Sequence, residues 1–204
     1  EPDLIISDVM MPKMNGFQLC RNVKNDFKLS HIPIVLLTAE SSDTGRENGY
    51  KSGADSYITK PFNMNVLRAR INQLIEQREQ RKKRFNSDVL IDPKDITISP
   101  LDEKFMSKAM ECIKKNMNNA DYGVEAFSSD MAMERSNLYR KMQAVVGKTP
   151  SEFIRSIRLK RAAQLLKTKN YSVLDVSVMV GFNTMKYFTQ HFKEEFGVPP
   201  SQYK

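Results

Sequence analysis

The sequence predicts two folded parts in series: an α/β part built on a doubly wound parallel sheet, then an all-α part. Three observations carry this. Residues 3–9, DLIISDV, and 32–39, IPIVLLTA, contain apolar runs closed by an acid and a hydroxyl, the pattern of strands buried on both faces. From residue 101 onward, apolar residues recur at helical rather than strand spacing. Charge also divides: residues 86–134 hold 5 basic and 10 acidic residues, whereas residues 135–193 hold 12 basic and 2 acidic. A basic block inside a periodic segment suits a polyanionic partner.

The bulk properties set limits. The chain has 204 residues and a net charge of +8, enough for one or two domains. No apolar run approaches the roughly 18–20 residues that span a bilayer, so no membrane contact is expected. The opening EPDLIISD has no initiator Met and no basic leader, so a cytoplasmic location is expected. Cys20 and Cys112 suit small core positions in a reducing compartment. His31 and His191 lack companions at ligand spacing, so no metal site is expected on them.

The α/β part reads in order. The first strand ends at Asp8, and MMPKMNG turns the chain with Pro12 and Gly16. Phe17, Cys20 and Val23 have helical spacing. The second strand ends at Thr38; a Gly-containing helix follows, then a short strand in DSYITKPF. A last helix starts near Asn63 and carries Leu67, Ile71 and Leu74. Strands that alternate with helices make a parallel sheet whose active residues sit at strand carboxyl ends. Asp8, Thr38 and Lys60 all fall there. A carboxylate can accept a phosphoryl group, a hydroxyl can bond its oxygens, and a lysine can balance its charge.

SDVMMPKMNG, LLTA and YITKPF resemble the response-regulator receiver family. The resemblance implies that Asp8 is the phosphoacceptor, that Thr38 and Tyr57 relay the modification, and that Lys60 contacts the phosphoryl group. It implies a cis Lys60–Pro61 peptide. It also implies Mg²⁺ held by Asp8 and the Met10 carbonyl together with an acidic pair that lies well upstream in the family. Only seven residues precede Asp8 here. The expectation is therefore a truncated receiver with an incomplete Mg²⁺ site, no bound Mg²⁺ and poor phosphorylation as it stands. An uncovered sheet edge would then invite a homodimer.

NQLIEQREQRKKR (residues 72–84) has about one heptad of apolar seam, which favours a helical linker over a coiled coil. Residues 86–100 lack periodicity and hold Pro93 and Pro100, which predicts a loop at the domain boundary. The expected division is residues 1–75, a linker over 76–100, and a second domain over 101–204.

In the second part, Phe105, Ala109, Cys112 and Ile113 mark a first helix, with Ser99 and Asp102 as candidate caps. VEAFSSDM is a second helix and SNLYRKMQAVVG a third. In the third, Leu138, Met142 and Val145 face inward, and Ser136, Tyr139, Arg140 and Gln143 share the opposite face. Residues 149–170 form a long amphipathic helix of roughly 25–30 Å at 1.5 Å per residue. That is close to the ~34 Å between successive major grooves. A short helix with Val173, Val176 and Val180 then meets Gly181. A last helix buries Phe188, Phe192 and Phe196 and presents Lys186, Gln190 and Lys193 elsewhere. Helix, tight turn, helix with a basic outer face is a DNA-reading arrangement.

VGFN-x-x-x-YF-x-x-x-FK-x-x-FG-x-x-P-x-x-Y, with RLKRAAQLL before it, resembles the AraC-type transcription factors. The resemblance implies two helix-turn-helix units and double-stranded DNA as partner. The first reading helix would use Ser136, Tyr139 and Arg140, with Gln143 beside them. The second would use Met185, Lys186 and Gln190. Arg135, Lys141 and Thr184 would contact phosphates. Arg suits guanine edges and Gln suits adenine. The first unit departs from the family at Ala132, where the turn glycine is usual, and at Glu134, where a Ser or Thr cap is usual; the second unit is expected to be better formed. Joined, the two resemblances imply a transcriptional regulator of a two-component phosphorelay, with a histidine kinase as phosphodonor. In the hybrid class, which residues 98–131 resemble, that kinase lies in the same parent chain. The alternative is a phosphorelay module that acts through protein contacts. An enzyme is not expected: no Ser-His-Asp set, metal cluster or phosphate-cradling Gly loop is present.

Overall fold

The computed structural model describes residues 2–39, 52–97 and 99–203. It has two compact units: Glu1–Arg81 with Thr97–Asp102, and Lys82–Ile96 with Glu103–Lys204.

The first unit is a three-stranded parallel sheet with helices. Its strands β1 (Ile5–Asp8), β2 (Ile34–Thr38) and β3 (Ser56–Thr59) lie in the order β1-β2-β3. Register places Asp8 beside Leu37 and Thr38 beside Thr59, so the carboxyl ends are level. The alternation of β2 explains both faces of the sheet. Ile34 and Leu36 pack with Cys20 and Val23 of α1 (Gly16–Asn25), and Val35 packs with Leu67 and Leu74 of α2 (Met64–Ser87). Asn15 and Gln18 form a capping box that starts α1. The Gly-containing helix expected after Thr38 lies outside the described residues. Among the described residues β1 pairs on one side only, and Ile6 is exposed. Cys20 and Cys112 are free thiols, and burial pushes both above the ordinary range.

Residues 86–100, expected as a loop, instead hold α3 (Pro93–Ile96) and the start of α4 (Pro100–Lys115), and Asn86 and Ser87 still belong to α2. The end of α2 is apolar where it matters. Phe85 is fully buried and stacks on Phe153, ring centroids 5.3 Å apart, and Phe153 stacks in turn on Phe127. Periodicity along 72–84 stopped one residue short of this anchor.

The second unit is all helical: α4, α5 (Val124–Asp130), α6 (Arg135–Val146), α7 (Pro150–Thr168), α8 (Val173–Met179) and α9 (Met185–Phe196), closed by a 3-10 turn at Pro200–Gln202. The Ser99 hydroxyl caps α4 by accepting from the Asp102 N–H. A capping box of Thr149 and Glu152, with Pro150 in the first turn, starts α7. Ala162, Ala163, Leu166, Val176, Val180, Phe188 and Phe192 form one core between α7, α8 and α9.

Candidate functional site

At the sheet's carboxyl edge, the Asp8 and Lys60 side chains form an ion pair, and the Met10 N–H donates to Asp8 Oδ1 at 3.1 Å. The Lys60 hydrogen bond, then the Met10 N–H, hold the Asp8 carboxyl below the usual range. Lys60 is placed by its own N–H, which donates to the Thr38 carbonyl at 2.6 Å, and the Lys60–Pro61 peptide is cis. Gly16 approaches so closely that a Cβ there would collide with the Asp8 carbonyl, which is why the turn after β1 requires glycine. Thr38 is buried. The Tyr57 ring stacks on Phe17 of α1, and its hydroxyl is buried without a hydrogen-bond partner among the described residues.

Receivers hold a divalent metal. Here Asp8 and the Met10 carbonyl are the candidate donors, and Asp8 is already paired with Lys60. Among the described residues no group of three or more His, Cys, Asp or Glu comes together. Mg²⁺ demands near-octahedral oxygen coordination. These donors alone do not fit it.

The helical unit contains the same motif twice. In the first, α5 turns into α6: the Ala132 N–H bonds the Ser129 carbonyl and the Met133 N–H bonds the Ser128 carbonyl. In the second, α8 turns into α9: the Gly181 N–H bonds the Val178 carbonyl and the Phe182 N–H bonds the Ser177 carbonyl. The turn residue has positive φ in both, 55° at Ala132 and 74° at Gly181. The cost falls on the first motif, because its turn residue carries a Cβ. Its reading helix also lacks a cap: Glu134 makes no side-chain cap bond, whereas Thr184 accepts from the Tyr187 N–H. Gly181 is doubly constrained, since a Cβ there would lie 2.6 Å from the Met117 carbonyl.

The structure places the expected reading residues unevenly. Ser136, Tyr139 and Arg140 are exposed on α6, as are Lys186 and Gln190 on α9. Gln143 is half-buried. Arg135 is exposed and pairs with Glu125 of α5. Gln190 donates to Glu194 at 2.9 Å, one turn along the same face. Met185 is half-buried and packs against the core, which removes most of its surface from an outside partner. Lys141 is a correction. It was expected to contact phosphate, but it is 3% exposed. Three residues after Leu138 and four before Val145, it belongs to the buried stripe of α6.

Two more cations of the basic block are internal. Arg158 donates to the carbonyls of Gly181 and, at 2.5 Å, Asn119, and so staples the second turn to the loop after α4. Lys160 Nζ donates to the Asp88 carbonyl at 2.6 Å and the Asn86 carbonyl, and lies over the Phe85 ring. Burial depresses Lys160 to about 8. Glu195 of α9 accepts from Ser156 and lies within ion-pair reach of Lys148 and Lys160. Along the sequence Arg158 and Lys160 belong to the basic block expected to face a polyanion; only their place among the buried residues of α7 distinguishes them.

Comparison with known proteins matches residues 1–72 to the response regulator receiver domain and 127–204 to a helix-turn-helix domain of the AraC type. The chain is 46% identical over 203 residues to histidine kinase P4 of Formosa agariphila, spanning all of this chain and 15% of that protein. It is 32% identical over 171 residues to the transcriptional regulatory protein SpaR of Bacillus subtilis, 78% of this chain and 70% of that one. Among solved structures, the C-terminal domain of AraT, a response regulator from Geobacillus stearothermophilus, shares 26% identity with a TM-score of 0.45, over 48% of this chain and 82% of that one. Among the described residues no helix is long and apolar enough to cross a membrane.

Proposed function

Because the chain belongs to the response regulators that join a receiver domain to an AraC-type helix-turn-helix domain, we propose that it is the output end of a two-component phosphorelay: a sequence-specific DNA-binding transcriptional regulator controlled by phosphorylation of Asp8. One observation carries the reading. Two equivalent helix-turn-helix motifs flank one continuous helix, Pro150–Thr168. Its 19 residues reach about 28 Å at 1.5 Å each. A rigid spacer of that length suits the placing of α6 and α9 in successive major grooves, which repeat every ~34 Å.

In this reading Arg140 and Tyr139 meet bases from α6, and Lys186 and Gln190 from α9. Gln190 must exchange its bond to Glu194 for a base edge. Arg135 and Thr184 stand beside phosphates, which fixes register without reading sequence. Upstream, a histidine kinase supplies the phosphoryl group, and the parent is a hybrid protein that carries kinase and regulator in one chain. An Asp8 carboxylate oxygen attacks phosphorus as the bond to the donor histidine breaks. Lys60 then transfers its ion pair from the carboxylate to the new phosphoryl oxygens. The site of action is the bacterial cytoplasm.

Selection of bound sequences from random duplex DNA, using the full chain, tests this. The expected product is an enriched site with two contacted elements about one helical turn apart. Arg140→Ala and Lys186→Ala should each lose roughly 1–3 kcal/mol of discrimination at one element only. No enrichment over bulk DNA, with kinase binding retained, would favour a module that works through protein contacts. Intact mass after treatment with a small phosphodonor and Mg²⁺ tests the phosphoacceptor: with so few metal donors a partial adduct at most is expected, its loss in Asp8→Asn supports the assignment, and an adduct that survives the substitution refutes it.

A further inference from the structure

Between the two helix-turn-helix motifs lies a half-open cleft of about 380 Å³. Ser151 and Arg155 of α7 line one side, and Thr184 and Tyr187 at the start of α9 line another. The Arg158 guanidinium also lines it. Two observations mark it as an anion seat. First, α7 and α9, of 19 and 12 residues, both begin at this cleft, so the positive ends of two helix dipoles meet there. Second, Arg158 is 93% buried, from 7% exposure, yet among the described residues its two terminal nitrogens bond only neutral carbonyls and its buried Nε has no acceptor. Among the described residues no ion pair joins a carboxylate to Arg158, whereas the half-buried Arg155 lies in the field of Glu152, one turn back on α7, and of Glu194 on α9. A buried cation without a counter-charge is costly, and an entering anion relieves that cost.

We propose that this cleft seats one phosphate of the DNA backbone, the one that crosses between the two grooves read by α6 and α9. The proposal rests on the DNA-binding reading above and adds a contact that neither reading helix makes. Arg155 supplies the charge-assisted hydrogen bonds, and the hydroxyls of Ser151, Thr184 and Tyr187 supply neutral ones. Arg158 adds field from below while it holds the Gly181 turn. A phosphate here fixes the register of both motifs at once and carries no sequence information.

The test measures DNA affinity of the full chain against salt, for wild type, Arg155→Ala and Arg155→Lys. Arg158 is left intact because its removal would loosen the turn. Arg155→Ala should flatten the slope of log K against log salt by about 0.9 and weaken specific and random duplexes by the same factor, roughly tenfold at low salt. Arg155→Lys should keep the slope. A scan with single uncharged methylphosphonate linkages should find one central position at which Arg155→Ala costs nothing further. An unchanged slope, or no such position, overturns the seat while leaving DNA binding in place. Failure to bind any duplex at low salt overturns both. Saturable uptake of inorganic phosphate without DNA, together with an unchanged slope, assigns the cleft to a free anion and overturns the DNA seat.

Discussion

Phe85→Ala probes where the long helix α2 ends its service to the first unit and begins its service to the second. The ring is fully buried, stacked on Phe153, with Lys160 Nζ 5.6 Å from its centroid. Truncating a buried Phe costs roughly 3–5 kcal/mol from lost transfer energy and the cavity left behind. The stacked pair accounts for about 0.5–1.5 kcal/mol of such a loss. The Asn86 and Asp88 carbonyls keep Lys160 as donor, so no orphaned acceptor adds to the total. A loss of about 4 kcal/mol in a helical unit of this size lowers its midpoint by roughly 15 °C. Urea unfolding followed by far-UV circular dichroism, with native-state hydrogen exchange, locates the loss. Exchange should quicken at Leu138, Met142, Phe188 and Phe192, and hold at Ile34 and Leu36. A change under about 1 kcal/mol in the helical unit, or one centred on the sheet, would show that the end of α2 is not part of the DNA-binding core.

The two turns make a matched pair of opposite sign. Gly181→Ala forces a Cβ into a left-handed conformation and against the Met117 carbonyl, so thermal melts should show a loss of about 2–5 kcal/mol. Ala132→Gly relieves the same conformation at an exposed position and should gain roughly 0.5–1 kcal/mol; destabilisation there would contradict the strain argument. Lys160 sets a pH dependence. Its folded value of about 8 lies below the ordinary lysine value of 10.5, so between these the unfolded chain binds more protons and stability rises with pH. The rise should approach about 3 kcal/mol, at 1.36 kcal/mol per pH unit, and flatten above pH 10.5. Urea titrations from pH 7 to 11 on wild type and Lys160→Met check it; an equal slope in both excludes Lys160 as the cause. Lys141→Ala should lower stability of the helical unit without changing the salt slope of DNA binding. A slope change would return Lys141 to the phosphate contacts.

Much of this protein could be read before folding because its strongest signals are local. β2 declares its two faces by alternation, with Ile34 and Leu36 toward α1 and Val35 toward α2. The phenylalanine stripe of α9 follows from helical spacing alone, with Phe188 and Phe192 fully buried. Gly181 and the uncapped start at Glu134 are equally local, because turn chemistry depends on a few consecutive residues. Asp8, Thr38 and Lys60 could be placed together because parallel strands bring their carboxyl ends level.

What the tertiary structure alone decided concerns charge. Lys141, Arg158 and Lys160 look, along the sequence, like three more positive charges for a polyanion. Each is inside. Periodicity assigns a cation to solvent because burying it is costly, and that cost is met by acceptors far away in the chain. For Arg158 these are the carbonyls of Asn119 and Gly181; for Lys160, those of Asn86 and Asp88. No local pattern encodes a carbonyl more than twenty residues away. The residues therefore specified which helices form, and only their packing determined which positive charges remain outside to meet DNA.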